Sequence, residues 1–357
     1  KGKKMATRFK PITQNNDIAT SRTLLHEAIP VTGTIVSGTY KDENIKNYSH
    51  GMFQSVFDYP FLSSSANHIF DITAGYSSLS AMSGATNTQN AKKINIYNQM
   101  AQVLVGHDAT GSIKEFDRDG NFTDTDVKHR EVLFINFSRL LTKDEIKKQS
   151  FTLSFLTGGA VDARTAVTKT TLSDYGAATT YKTNSPAGEY GILYTGSVNV
   201  GSVGNPGVGL VYYQAGVAVI TASVFQRGAG TFDPWGIRVE DQDDNLDAVL
   251  TGSNISVACD GLRNRFENLS FNNTTELNST IYFCRANFNE FNYSSNPTYL
   301  SSSQLRVKTK KTDEPVSYIT TIGLYSSDNV LMAVAKLSEP LKKTPANEFT
   351  LRVRLDY

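Results

Sequence analysis

At 357 residues the chain is long enough for two or three domains, or for one large β domain with insertions. Its 35 basic and 34 acidic side chains leave a net charge of +1, and charged residues make up 19%, below the roughly 25% usual for soluble domains, with Ser, Thr, Asn and Gly filling the difference. That balance offers no basic stripe for nucleic acid, no apolar run of about 18 residues for a membrane helix and no secretion signal at its start. The basic cluster Lys1, Lys3 and Lys4 reads as a solvated end.

In chain order, residues 1–50 mix short strand signals ("IPVTGTIVSGTY") with polar turns, and an aromatic stretch broken by Pro60 follows. The clearest helix is "NAKKINIYNQMAQVLVG", where Ile96, Tyr97, Met100, Val103 and Leu104 recur at three- and four-residue spacing and Gly106 is placed to end it. "EVLFINFSRLL" is suited to a buried strand. The next segment, "TKDEIKK", reads as a short helix with Thr142 and Glu145 as a capping box and Lys147 and Lys148 at its negative end. Strand alternation resumes in "SFTLSFL" through Phe151, Leu153 and Phe155.

Residues 157–207 are rich in Gly, Ser and Thr, which predicts either an excursion ordered only against a neighbour or the loops of a β layer. "GLVYYQAGVAVITASVF" gives two strands around a tight Gln214-Ala215-Gly216 connection. "SYITTIGLY" and "VLMAVAKL" are apolar runs joined by the turn Ser326-Ser327-Asp328-Asn329. In "EFTLRVRLDY", Phe349, Leu351, Val353, Leu355 and Tyr357 alternate with polar residues. The three segments read as a meander.

Motifs for chemistry fail on spacing. "FDRDGNFTDTD" crowds Asp117, Asp119, Asn121, Thr123 and Asp124, but an EF-hand alignment puts Phe122 where the Gly belongs and Lys128 where the bidentate Glu belongs, so the stretch reads as a hairpin turn. Asp241, Asp243, Asp244 and Asp247 read as an exposed acidic turn, and "GSVGNPGVG" lacks the Lys-Ser/Thr of a phosphate loop. The histidines His26, His50, His68, His107 and His129 are scattered, and no carboxylate pair is singled out. Two cysteines, Cys259 in "NISVACD" and Cys284 in "STIYFCR", are too few for a structural zinc site. Both sit in strand-like surroundings and read as free and buried, with one disulfide as the alternative. No catalytic, cofactor or metal residue is therefore assigned. The run from Asn268 to Leu300 interleaves aromatics with Asn and Ser; Asn287, Phe288, Phe291, Tyr293 and Tyr299 are its candidate interface residues, against a plainer reading as sheet core plus loops.

Several phrases carry a resemblance. "EFNYSSNPTYL", "YITTIGLYSSDNVLMAVAKLSEPLKK" and "FTLRVRLDY" resemble the C-terminal parts of structural proteins of tailed bacteriophages, while "GLVYYQAGVAVIT" and "EVLFINFSRLLTKDEIKK" look like recurring phrases of large virion proteins of contractile-tailed phages. The resemblance lies mainly in residues 131–156, 208–222 and 276–357 and includes no catalytic motif. It implies a non-enzymatic virion subunit, preferably of the tail baseplate, present in multiple copies or as a homo-oligomer against other virion subunits and assembled in the bacterial host cytoplasm. The alternatives are a receptor- or carbohydrate-binding tail fibre module, a capsid or neck component, or a tail-associated glycan hydrolase.

The expected fold is mainly β with a minor α part: antiparallel sheets or a sandwich, a C-terminal meander and a Gly/Ser/Thr-rich loop or β excursion. The expected parts are an N-terminal α+β part at 1–156, a Gly/Ser/Thr-rich region at 157–232 and a C-terminal β domain at 233–357.

Overall fold

The computed structural model describes residues 9–30, 44–122, 128–158, 168–195, 207–227, 231–232, 250–294, 300–301, 304–305, 308 and 310–357. The chain is mainly β with antiparallel pairing and a minor helical part, as its alternating apolar runs imply. It forms two compact units, one of residues Leu25–Thr275 and the other of Lys1–Leu24 with Glu276–Tyr357.

The main strands are β1 (Ile18–Pro30), β2 (Ile45–Asn47), β3 (Gln54–Phe57), β4 (His68–Tyr76), β5 (Glu131–Phe137), β6 (Thr152–Gly158), β7 (Thr168–Ser173), β8 (Gly188–Thr195), β9 (Gly209–Tyr212), β10 (Val217–Thr221), β11 (Phe266–Ala286), β12 (Ser317–Tyr325), β13 (Leu331–Lys343) and β14 (Phe349–Asp356). In the unit Leu25–Thr275 the ladder runs β11-β6-β7-β8-β9-β10-β5-β4-β3-β2. Its middle strands β9 and β10 are buried at every position, and β5 at all but Glu131 and Asn136. Continuous apolar runs such as "VAVIT" fit a strand covered on both faces, where alternation would leave polar groups buried. Phe70 of β4 stacks on Phe266 of β11 at 5.2 Å, and Phe137 of β5 lies 5.3 Å from Phe271 of β11. Strands far apart in the ladder thus meet through their rings, so the sheet folds back on itself around an aromatic core.

Helix α1 (Asn90–Leu104) packs on β4, as does α2 (Ile255–Arg265). A side chain at Gly75 of β4 would stand 2.8 Å from the Lys93 carbonyl and 3.0 Å from the Tyr97 amide nitrogen, so only glycine admits the helix this close. Ile96, Tyr97 and Leu104 are buried as their spacing predicts, whereas Val103 is exposed. Gly106, at φ +87°, ends the helix with its N–H on the Ala101 carbonyl at 2.9 Å. Lys93, fully buried, donates to the carbonyls of Thr88, Leu250 and Ser253 at 2.7–2.9 Å, pinning the chain before α2 against α1.

Several expectations are corrected. Only Arg139–Thr142 is helical in "FSRLLTKDEIKK"; Lys143 turns at φ +52°, and Glu145–Ile146 pairs with β11, so Thr142 and Glu145 form no capping box. Ile146 is fully buried, and its burial overrides the local helix signal. Cys259 is buried but lies on α2, its thiol 3.2 Å from the Ile72 carbonyl, and Cys284 on β11 is half-buried; both are free.

The C-terminal meander is broken: β12 pairs with β13, but β14 pairs with β11 from Ser279–Asp356 to Ala286–Phe349. Of the Gly/Ser/Thr-rich region, residues 168–195 form part of the β layer: β7 and β8 lie in the sheet, with a short helix at Ala177–Thr180 and the strand Lys182–Ser185 paired to β8 between them, and Leu172, Tyr190 and Leu193 are buried. The contacts also group the chain differently from the three expected parts, since the boundary at 156/157 falls inside β6 and β7–β10 continue the ladder of β5. Lys1, Lys3, Lys4, Thr123, Asp124, Tyr299, the acidic turn 241–247, positions 159–167 and most of the Gly cluster 201–209 lie outside the described residues.

Candidate interaction surface

In the unit containing the C-terminus, strands β12 and β13 form a two-stranded ribbon. Its turn follows the sequence signal: Ser326 N–H bonds the Val330 carbonyl at 2.9 Å and Asn329 takes φ +61°. A two-stranded ribbon cannot bury both faces by itself. Ile322, Leu324, Ala333 and Ala335 share the more covered face, with Leu324 at 8% exposure. On the other face Gly323 lies opposite Val334, and the Tyr325 ring and Leu331 side chain close over the glycine, where a Cβ would come within 2.8 Å of the ring. Around them Val334 is 58% exposed and Met332 70%. The result is an apolar face near the ribbon's tip, bordered by Lys336 opposite Thr321.

At the base of the ribbon, Lys343 is fully buried and its ammonium donates to the Phe288 carbonyl at 3.2 Å, the Thr344 carbonyl at 2.8 Å and Asn292 Oδ1 at 2.7 Å. Ser317 Oγ donates to the Phe291 carbonyl, and Asn292 Nδ2 to the Phe288 carbonyl at 2.8 Å. These bonds take up the Phe288 and Phe291 carbonyls, and with Phe291 at φ +57° the aromatic side chains of the loop stay at the surface. Of the candidate interface residues, Asn287, Phe288, Phe291 and Tyr293 are all exposed, Phe288 at 59%. The structure thus brings four of the five onto one loop held by the ribbon's base. Phe271, in the same aromatic run, is core.

Sequence reasoning missed Tyr325, Leu331, Met332 and Val334. The signal was present: "VLMAVA" places apolar groups at both parities, and a strand with only one partner cannot cover both. Lys343 carried no sequence signal, because its role comes from a loop fifty residues away.

Several groups suited to chemistry elsewhere are occupied. Asp117 Oδ1 accepts from the amides of Asp119, Gly120 and Asn121, and Oδ2 takes the Lys128 ammonium. Phe116–Asp117 pairs with Lys128–His129, as the hairpin reading requires. Among the described residues no group of three His, Cys, Asp or Glu could hold a metal ion, and no helix is long and apolar enough to cross a membrane. Asp174 is buried and accepts from Gln149 N–H at 2.7 Å, Phe151 N–H at 3.0 Å and Tyr213 hydroxyl at 2.9 Å, which ties β6, β7 and the end of β9 together. His68 pairs with Asp71 at 2.8 Å, which raises its pKa. No protein-family model, curated protein or solved structure matches this chain.

Proposed function

We propose that this chain is a non-enzymatic structural subunit of the virion of a contractile-tailed bacteriophage, placed in the tail baseplate and working through contacts with other subunits and further copies of itself. Two things support the reading: the resemblance of its phrases to virion proteins, and above all the apolar ribbon face of Tyr325, Leu331, Met332 and Val334, which stays largely exposed, with the Phe9 ring edge-on to Tyr325 at 4.8 Å. An exposed apolar cluster of this kind marks a contact surface. The mechanism is geometric: the ribbon presents a shaped apolar face, and the low net charge leaves little repulsion between copies.

The test is direct. Met332→Asp and Val334→Asp alter exposed side chains, so the isolated chain should unfold at the same denaturant midpoint to within about 0.5 kcal/mol. Both should, however, drop out of assembled particles. Particles that incorporate the variants at the wild-type level, or imaging that finds the ribbon touching no neighbour, would remove the basis of the reading.

The exposed Phe288, Phe291 and Tyr293 loop favours a second reading, a tail fibre module that stacks sugars on these rings. Titration of the chain with host surface polysaccharide separates the two, since only the second predicts binding that Phe288→Ala abolishes.

A further inference from the structure

The N-terminal segment holds to the fold in an unusual way. From Phe9 to Glu27 no side chain is buried, although β1 runs as a long strand on an edge of β11. Its partners descend as its own numbers rise: Asp17 meets Arg285 at 2.8 Å, Arg22 meets Glu276, and His26 meets Thr274 at 3.2 Å. The strand therefore lies antiparallel to β11. Two further contacts are polar, Lys10 with Glu290 at 2.5 Å and Glu27 with Lys143 at 2.6 Å, and one is aromatic, the Phe9 ring edge-on to Tyr325 at 4.8 Å. Exposed ion pairs contribute little to stability. Main-chain pairing, a pattern of opposite charges and the Phe9–Tyr325 edge contact hold the segment, and from Ile18 to Glu27 β1 itself places no side chain in the core.

We infer that β1 is an exchangeable strand, which in the assembled state pairs with β11 of a second copy of this chain. The occupant is specified by charge: Asp17, Arg22 and Glu27 meet Arg285, Glu276 and Lys143, an alternation of sign that another copy reproduces and that a slipped register would mismatch. The bonds made within one chain and between two are the same, so exchange costs little and concentration decides it. β11 itself stays in place, because Phe266, Leu269 and Phe271 are core and its partners β6 and β14 remain. Residues 31–43, thirteen positions, separate β1 from Asn44, a contour of at most about 45 Å for reaching a neighbour. The inference does not depend on the virion reading.

The experiment mixes two full-length chains, one carrying Arg22→Cys and the other Glu276→Cys, under oxidising conditions, with cross-links assigned by mass spectrometry so that those of Cys259 and Cys284 are told apart. Both positions lie at the surface, so the fold is kept. Exchange predicts a disulfide between position 22 of one chain and position 276 of the other, in at least about tenfold higher yield than when Arg22→Cys is mixed with the exposed control Thr110→Cys. Arg22→Cys and Glu276→Cys placed in one chain should give both intrachain and interchain products, with the interchain share rising with concentration. Only intrachain product at every concentration, or a mixed yield equal to the control, overturns the inference.

Discussion

His129 and Asp174 are buried ionisable groups whose titrations pull stability in opposite directions. His129 is 4% exposed, its Nε2 has no hydrogen-bond partner among the described residues, and burial holds its pKa down to about 4. The unfolded chain takes that proton near 6.5, so stability falls as pH drops through the window from about 6.5 to 4. Burial pushes the Asp174 carboxyl up to about 6 against the pull of its three donors. The native state then binds a proton that the unfolded chain releases down to about 3.9, so this group adds stability as pH falls from about 6 to 4. The two offset each other in the wild type. His129→Gln should therefore show stability rising from pH 6 to 4 relative to the wild type, and Asp174→Asn should show it falling, each by an amount on the order of 2–3 kcal/mol in urea denaturation. Equal pH slopes in all three proteins would remove this account.

The last strand sets a second test at this scale. Val353 is 7% exposed while Phe349, Leu351 and Leu355 are half-buried, so Val353→Ala and Leu351→Ala should each cost about 1–2 kcal/mol. The smaller side chain is the better buried, which removes the simple expectation that leucine truncation costs more. Arg352→Ala and Arg354→Ala, on the exposed face, should stay within about 0.5 kcal/mol. Denaturation midpoints showing the arginines more costly than Val353 would mean the register is displaced by one residue.

Between elements, one tight constraint is the seat of α1 on β4. A methyl group at Gly75 would meet backbone atoms of α1 at 2.8–3.0 Å, and backbone does not swing aside as a side chain does. Gly75→Ala must push α1 outward and disturb the Lys93 contacts with Leu250 and Ser253. The expected loss is about 1–3 kcal/mol. Hydrogen exchange should quicken first in α1 and around residues 250–253; a variant as stable as the wild type with unchanged exchange would show that the helix has room to spare.

For the whole molecule, the proposed role rests on what the surfaces present. The Asp117 carboxylate is taken up by its own turn and Lys128, and that of Asp174 by two amides and a hydroxyl. On the proposed structural role, incubation with host envelope polysaccharide or peptidoglycan is expected to release no sugar. Turnover that a single Asp or Glu substitution abolishes would overturn the non-enzymatic reading and favour a tail-associated hydrolase.

Local patterns were enough for elements whose environment is set by their own residues. The period of Ile96, Tyr97 and Leu104 specified α1, the alternation of Phe349 to Leu355 specified which face of β14 turns inward, and Gln214-Ala215-Gly216 specified the turn between β9 and β10. The aromatic run from Asn268 to Leu300 was legible only in outline, since rings interleaved with Asn and Ser suit sheet core and surface alike; Phe271 went to the core and residues 287–293 to an exposed loop. What local pattern could not decide was partnership. "TKDEIKK" has helix chemistry, yet a non-local pairing with β11 claims Glu145 and Ile146; β14 has the pattern of a meander strand, yet it pairs with β11 some seventy positions earlier. The side-chain pattern of a strand states that it has a buried face and leaves open which strand it lies beside, because backbone hydrogen bonds are the same for every partner. For the same reason the apolar face of β13 reads in sequence like core, and only the tertiary structure, by giving it one neighbour, leaves it open to solvent.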